Sequence, residues 1–194
     1  MLKSVSNSPR RQAGVSLIEV LVSVVIVVLG LLGLAGLQSH ATLAEMEAFQ
    51  RAQALVLLQD MVDRVNANRL VKDQFTTSPV GTGNGVQNCS TLTGAQNDQC
   101  EWNNALLGAA ETSAAGKVGA MIGARGCVEL LDPIMPRRYR VSVVWQGLTA
   151  TRAPSTACGK GEYKDDDTRR AVTAEVIVAC LQNNPATGEC IYPQ

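Results

Sequence analysis

The sequence predicts an α+β protein in which one long N-terminal helix packs its second half on a small antiparallel sheet. Three observations carry that prediction. Residues 20–37 form an uncharged apolar run in which only Ser23 is polar. Residues 38–70 continue without a proline in a pattern of apolar residues three and four apart. Three later stretches carry strand signals, and two of them alternate apolar and polar side chains, the period of a half-buried strand. The composition sets the outer limits. A chain of 194 residues suits one domain, or one domain with an appendage. With 46% hydrophobic and 18% charged residues it is not a disordered chain. Its 17 basic and 17 acidic side chains balance, which argues against nucleic-acid binding by general basicity. One His and 4% aromatics leave little material for a catalytic triad, an imidazole metal site or a base-stacking platform.

The helix begins with the apolar run. Eighteen helical residues cover roughly 27 Å, close to the thickness of a bilayer core. Residues 1–14 before it carry Lys3, Arg10 and Arg11 and no acid, so the N-terminus stays in the cytoplasm and the remainder is exported. All six cysteines, Cys89, Cys100, Cys127, Cys158, Cys180 and Cys190, follow the run. An even number in an exported region reads as disulfides, with 15 possible connectivities. Their spacings of 11, 27, 31, 22 and 10 fit no common zinc ribbon or finger.

Three readings of the export segment compete. A cleaved signal peptide would be cut after Ala41, at Ser39-His40-Ala41, but the run is longer than the roughly 7–15 residues of such signals. A plain single-pass anchor must accommodate Glu19, whose carboxylate would cost about 2.5–3.5 kcal/mol at mid-bilayer and little at the interface. The third reading accounts for Glu19 directly. The stretch Gly14-Val15-Ser16-Leu17-Ile18-Glu19-Val20 resembles the class III signal of type IV prepilins.

That resemblance implies cleavage between Gly14 and Val15 by a dedicated membrane peptidase on the cytoplasmic side, followed by N-methylation of Val15. The apolar segment is then retained as anchor and later as filament core. The family's usual Phe after the cut is Val15 here. Glu19 is the family's glutamate, and its role has a physical basis. Cleavage creates an amine of ordinary pKa about 7.7–8.0, and a carboxylate among apolar helices needs such a partner. A pair with a neighbouring subunit's amine would set register and make insertion depend on processing. The longer pattern, Leu17-Ile18-Glu19-Val20-Leu21-Val22 followed by Val28-Leu29-Gly30-Leu31-Leu32-Gly33-Leu34-Ala35-Gly36-Leu37-Gln38, resembles the PilV family of minor pilins, the type IV pilus modification proteins. This resemblance covers the first 70 residues well and the remainder in outline. Gly30, Gly33 and Gly36 recur every three residues, a spacing of small residues that permits close helix approach.

Beyond the run, apolar residues at Leu43, Met46, Phe49, Leu55, Leu58, Met61, Val62 and Val65 mark one helical face. Glu45, Glu47, Arg51, Asp60, Asp63 and Arg64 mark the other. The expectation is one helix over 15–70, roughly 84 Å long, with its membrane half at 15–37 and its amphipathic half at 38–70. His40 reads as a solvated residue just past the membrane. Residues 71–194 form the head. Residues 76–94 have loop composition, and Cys89 and Cys100, which bracket its end, are expected to close it. Residues 101–110 read as a short helix with Trp102 and Leu106 on one face. Strands are expected at 126–131, 138–147 and 171–181, and a meander of these is also the fold of the resembled family, type IV pilin-like. In such a meander Cys127 lies near the end of the second strand and so near Cys158. Pairing in sequence order, 89–100, 127–158 and 180–190, is therefore favoured. In the connection 148–170, Asp165, Asp166 and Asp167 lack the alternate spacing of an EF-hand. They read as a solvated acidic turn, paired by Arg169 and Arg170, and no metal or cofactor is expected.

No Gly-x-Ser-x-Gly, Walker loop or His-Glu-x-x-His is present, so no enzyme is expected. The leading expectation is a minor pilin acting in priming, assembly or at the tip of a type IV pilus. The resemblance implies as partners other minor pilins and the major pilin, the prepilin peptidase, the inner-membrane assembly platform and membrane lipid. Location would be the inner membrane, with a periplasmic head, and the pilus after assembly. A minor pseudopilin of a type II secretion system shares the N-terminal motif. A tip adhesin would need an apolar patch or pocket in the head, and a periplasmic binding module would need release after Ala41. Losing residues 1–14 removes three of the 17 basic side chains and no acid, leaving a net charge of −3. Nucleic acid is not an expected partner.

Overall fold

The structure is a computed structural model that describes residues 16–69, 72–76, 79–108, 112–113, 116–117, 121–133, 137–178, 182–183, 185 and 190–191. It is an α+β protein with a pilin-like architecture, a long N-terminal helix and a small four-stranded antiparallel sheet. The chain divides into two compact units, Met1–Ala44 and Glu45–Gln194.

Helix α1 spans Leu17–Ala67. The carbonyl of Ser16 opens it by accepting the amides of Glu19 and Val20. In the first unit every described residue is exposed, with Ile18 at 69% and Leu29 at 64%. By length and composition α1 is able to cross a membrane.

The second unit is built around the remainder of α1. Its buried residues are Gln50, Ala54, Leu58, Met61 and Val65, the three-and-four spacing of one face. The expected face is therefore rotated. Met46, Phe49 and Leu55 stand exposed, and Gln50 and Ala54 take the buried positions. The physical reason is local. Trp145 Nε1 donates to Gln50 Oε1 at 3.2 Å, and the alanine brings the helix close to the strands.

The sheet order is β1-β4-β5-β6, all antiparallel: β1 Val80–Gly81, β4 Ile122–Asp132, β5 Arg137–Gln146 and β6 Arg169–Val178. Two small hairpins, β2 Thr112–Ser113 with β3 Gly116–Lys117 and β7 Gln182–Asn183 with β8 Cys190–Ile191, complete the described strands. Alternation sorts the sheet faces. Tyr139, Val141, Val143 and Trp145 of β5 join Val172, Val176 and Val178 of β6 in the core shared with α1. On the opposite face Val144 packs with Cys127 and Cys158.

Helix α2, Gly94–Leu106, begins seven residues before the short helix expected at 101–110. Its first turns are polar and carry no apolar period, so tertiary contacts hold them. Arg64 Nη1 donates to Asp98 and to Glu101, both at 2.8 Å, and Asn68 Nδ2 donates to Asp98 at 2.8 Å. Trp102 is buried in the core with Leu106, and its Nε1 donates to the Leu57 carbonyl at 2.9 Å. The indole lies on Gly126: a Cβ there would stand 2.2 Å from the ring. A 3-10 turn, Lys72–Phe75, precedes the expected loop, and strand β1 lies within it.

Candidate functional site

The first candidate site is the N-terminal part of α1. Gly14 and Val15 lie outside the described residues. Glu19 sits in the first turn of α1, where the helix dipole favours a negative charge. It is exposed, and its carboxylate has no hydrogen bond or ion pair among the described residues. One turn on, Ser23 Oγ donates to the Glu19 carbonyl at 2.6 Å. At about 100° per residue, Glu19, Ser23, Gly30 and Gly33 fall within an arc of roughly 80°. Gly36 drifts off that arc, because a three-residue repeat falls behind the helical period of about 3.6. A Cβ at Gly30, Gly33 or Gly36 would meet nothing within 4 Å. Nothing among the described residues therefore demands glycine at these positions. The arrangement offers a carboxylate and a line of close approach on one side of an apolar helix. His40 lies further along the same exposed helix.

In the head, the cysteines close two loops. Cys89 is bonded to Cys100, and Cys127 to Cys158. Cys180 lies outside the described residues, and Cys190 opens β8. The route to the second bridge differs from the expected one. Cys127 pairs in register with Ser142, in the middle of β5 and not at its end. The connection 147–168 folds back across the sheet face opposite α1 as a strap, and this brings Cys158 over the centre. Gly147 N donates to the Thr168 carbonyl at 2.8 Å, and Ser142 and Thr156 share a 3.5 Å hydroxyl contact. Gly159 makes the close approach in a left-handed conformation, φ +64°, where a Cβ would stand 2.8 Å from Val144 Cγ2.

Arg169 organises the strap from within and is only 1% exposed. Its Nη1 donates to the carbonyls of Thr156 at 2.8 Å and Cys158 at 2.9 Å. Its Nη2 donates to the Pro154 carbonyl at 3.1 Å, and Nε and Nη2 grip Asp166 at 2.6 and 3.1 Å. That grip holds the Asp166 carboxyl below its ordinary range. Arg169 thus pairs with the acidic turn, but Arg170 does not pair with its carboxylates. It reaches Glu47 Oε1 at 3.1 Å and the Thr149 carbonyl at 2.7 Å. Burial pushes the Glu47 carboxyl up, and the Thr149 hydroxyl and the Arg170 charge outweigh it, so the group sits below the usual value. Arg169 was legible only as a surface charge, because sequence does not show where a long connection folds back. Tyr163 closes the strap's other side by donating to the Gly123 carbonyl at 2.8 Å, and burial pushes its hydroxyl up to about 12. Among the described residues no group of three or more His, Cys, Asp or Glu is placed to hold a metal ion.

Comparison with known families matches residues 9–35 to the prokaryotic N-terminal methylation motif. The match spans the Gly14–Val15 junction, Glu19 and the first two glycines of the repeat, and it supports a type IV pilin- or pseudopilin-like protein. The motif points to a structural subunit. It implies processing by a prepilin peptidase, assembly with other pilins, and a membrane-anchored state. No curated protein and no solved structure matches the chain.

Proposed function

We propose that the chain is a minor pilin of a type IV pilus that acts in priming, assembly or at the tip through lateral helix packing. One observation carries this reading. The methylation motif lies at the head of a helix whose apolar segment is exposed at every described position. Apolar surface of that extent needs a bilayer first and other helices later. In this reading residues 1–14 are the leader, 15–37 the membrane and filament-core half, 38–70 the amphipathic half and 71–194 the periplasmic head. The peptidase cuts between Gly14 and Val15, and Val15 is methylated. Cys180 pairs with Cys190. The subunit waits in the inner membrane as a single-pass protein, among lipids and near the assembly platform. It then joins other minor pilins and the major pilin.

Glu19 is the residue that makes this mechanism specific. Taken into an apolar bundle alone, its carboxylate is strongly disfavoured, and a neighbour's amine removes most of that cost. Gly30 and Gly33, on the same side, allow the neighbouring backbone to approach. The test is incorporation. In native-host cells, Glu19→Ala is expected to be cleaved and membrane-bound but lost from sheared pili by roughly tenfold or more, the loss expected for a pair worth about 1.4 kcal/mol. Incorporation at the parental level would remove Glu19 from the mechanism.

A further inference from the structure

Where α1 meets the end of the sheet, the second unit holds a cleft of about 280 Å³ lined by Glu47, Ala48, Arg51, Trp145, Arg170 and Ala171. Most of its polar groups are already engaged. Arg170 is bound to Glu47, Thr149 and Thr151, and the Trp145 N–H is given to Gln50. Arg51 is the exception. It is exposed and has no hydrogen bond or ion pair among the described residues, although Glu47 lies one turn before it. The cleft therefore contains two guanidinium groups against one carboxylate, and the unmatched cation stands at its rim.

We propose that this cleft receives a single carboxylate side chain, a Glu or Asp of a neighbouring subunit, with Arg51 as its anchor. The existence of such a neighbour rests on the assembly reading above. The chemistry selects the occupant. A guanidinium fork matches a carboxylate with two parallel hydrogen bonds. Glu47 repels a doubly charged phosphate more than a singly charged carboxylate. Ala48 and Ala171 leave space for a methylene stem beside the nearly buried Trp145. A neutral or basic side chain would leave the charge of Arg51 unmatched.

The test uses the full chain in its native host, with a photo-crosslinking amino acid at Ala48 and the N-terminus of the same sample sequenced. The expected result is an adduct to another pilin subunit, mapped beside a Glu or Asp. Arg51→Gln should lower its yield roughly tenfold, as loss of a charge-assisted pair implies. Arg51→Glu should abolish it, and reversing the mapped carboxylate to Lys should restore it. Two results overturn the proposal: a processed chain that gives no adduct, and an adduct that Arg51→Gln leaves unchanged. If the chain is unprocessed and gives no adduct, the assembly reading falls and takes this one with it.

Discussion

At the scale of single residues, two buried contacts decide most. Arg169 satisfies three strap carbonyls and one carboxylate with one guanidinium. Arg169→Met leaves those acceptors without donors, so it is expected to lower unfolding free energy by about 3–5 kcal/mol in urea titration. Asp166→Asn, which keeps an oxygen facing the guanidinium, is expected to cost less. A loss from Arg169→Met no larger than that from Asp166→Asn would contradict the assignment. Gly126 is the second contact. Its substitution by Ala drives a methyl into the Trp102 ring, and overpacking of that kind costs about 1–3 kcal/mol or more. Gly30→Ala is the contrast. It meets no atom, so it should raise helix content, by up to about 1 kcal/mol of propensity. Under the assembly reading it should also reduce incorporation into pili, because the closest approach of the neighbouring helix is blocked.

At the scale of elements, the strap depends on its bridge. The Cys127–Cys158 bond closes a loop with a sequence separation of 31, for which the chain-entropy model gives about 3–4 kcal/mol. The double variant Cys127→Ser/Cys158→Ser is expected to lose that amount and to expose Val144 and Tyr163. Protease cleavage within 147–168, read by mass spectrometry, would reveal that exposure, and an uncut strap in the variant would contradict it. The elements also show where sequence reasoning succeeds. The long helix was legible from its apolar run and the three-and-four spacing after it, and the strands at 138–147 and 171–181 from alternation over ten or more residues. The first turns of α2 were not, since Gln96, Asn97, Asp98 and Gln99 have no apolar period, and it is tertiary bonds that hold them, from Arg64 and Asn68 to Asp98 and from Gln99 to the Gln74 carbonyl. Strand β1 is two residues long and exists by pairing with β4. The buried face of α1 was rotated because a glutamine and an alanine do the packing where hydrophobicity favours Phe49 and Leu55.

At the scale of the whole molecule, charge links stability to pH. Glu47, Glu101 and Asp166 all titrate below their ordinary values of 4.5, 4.5 and 3.8, Glu101 chiefly through its bond from Arg64. Folded values below unfolded ones mean that the stabilisation is complete above the ordinary values. It is lost as the pH falls through the folded ones. The urea midpoint is therefore expected to be level from about pH 8 to 5 and to fall below about 4.5, and the triple variant Glu47→Gln/Glu101→Gln/Asp166→Asn should flatten that fall. The functional motif was the most legible part of the chain, because Gly14, Val15 and Glu19 are close in sequence and need no fold to be recognised. The cleft at Arg51 was not, since it joins residues near 50, 145 and 170 that only the packed sheet brings together. The central claim concerns the N-terminus, and mass spectrometry of the N-terminal peptide from native-host membranes tests it most directly. The account predicts a chain that begins at Val15 with a methylated amine. A chain that begins at Met1 in cells with an active prepilin peptidase, or at Thr42, would contradict it.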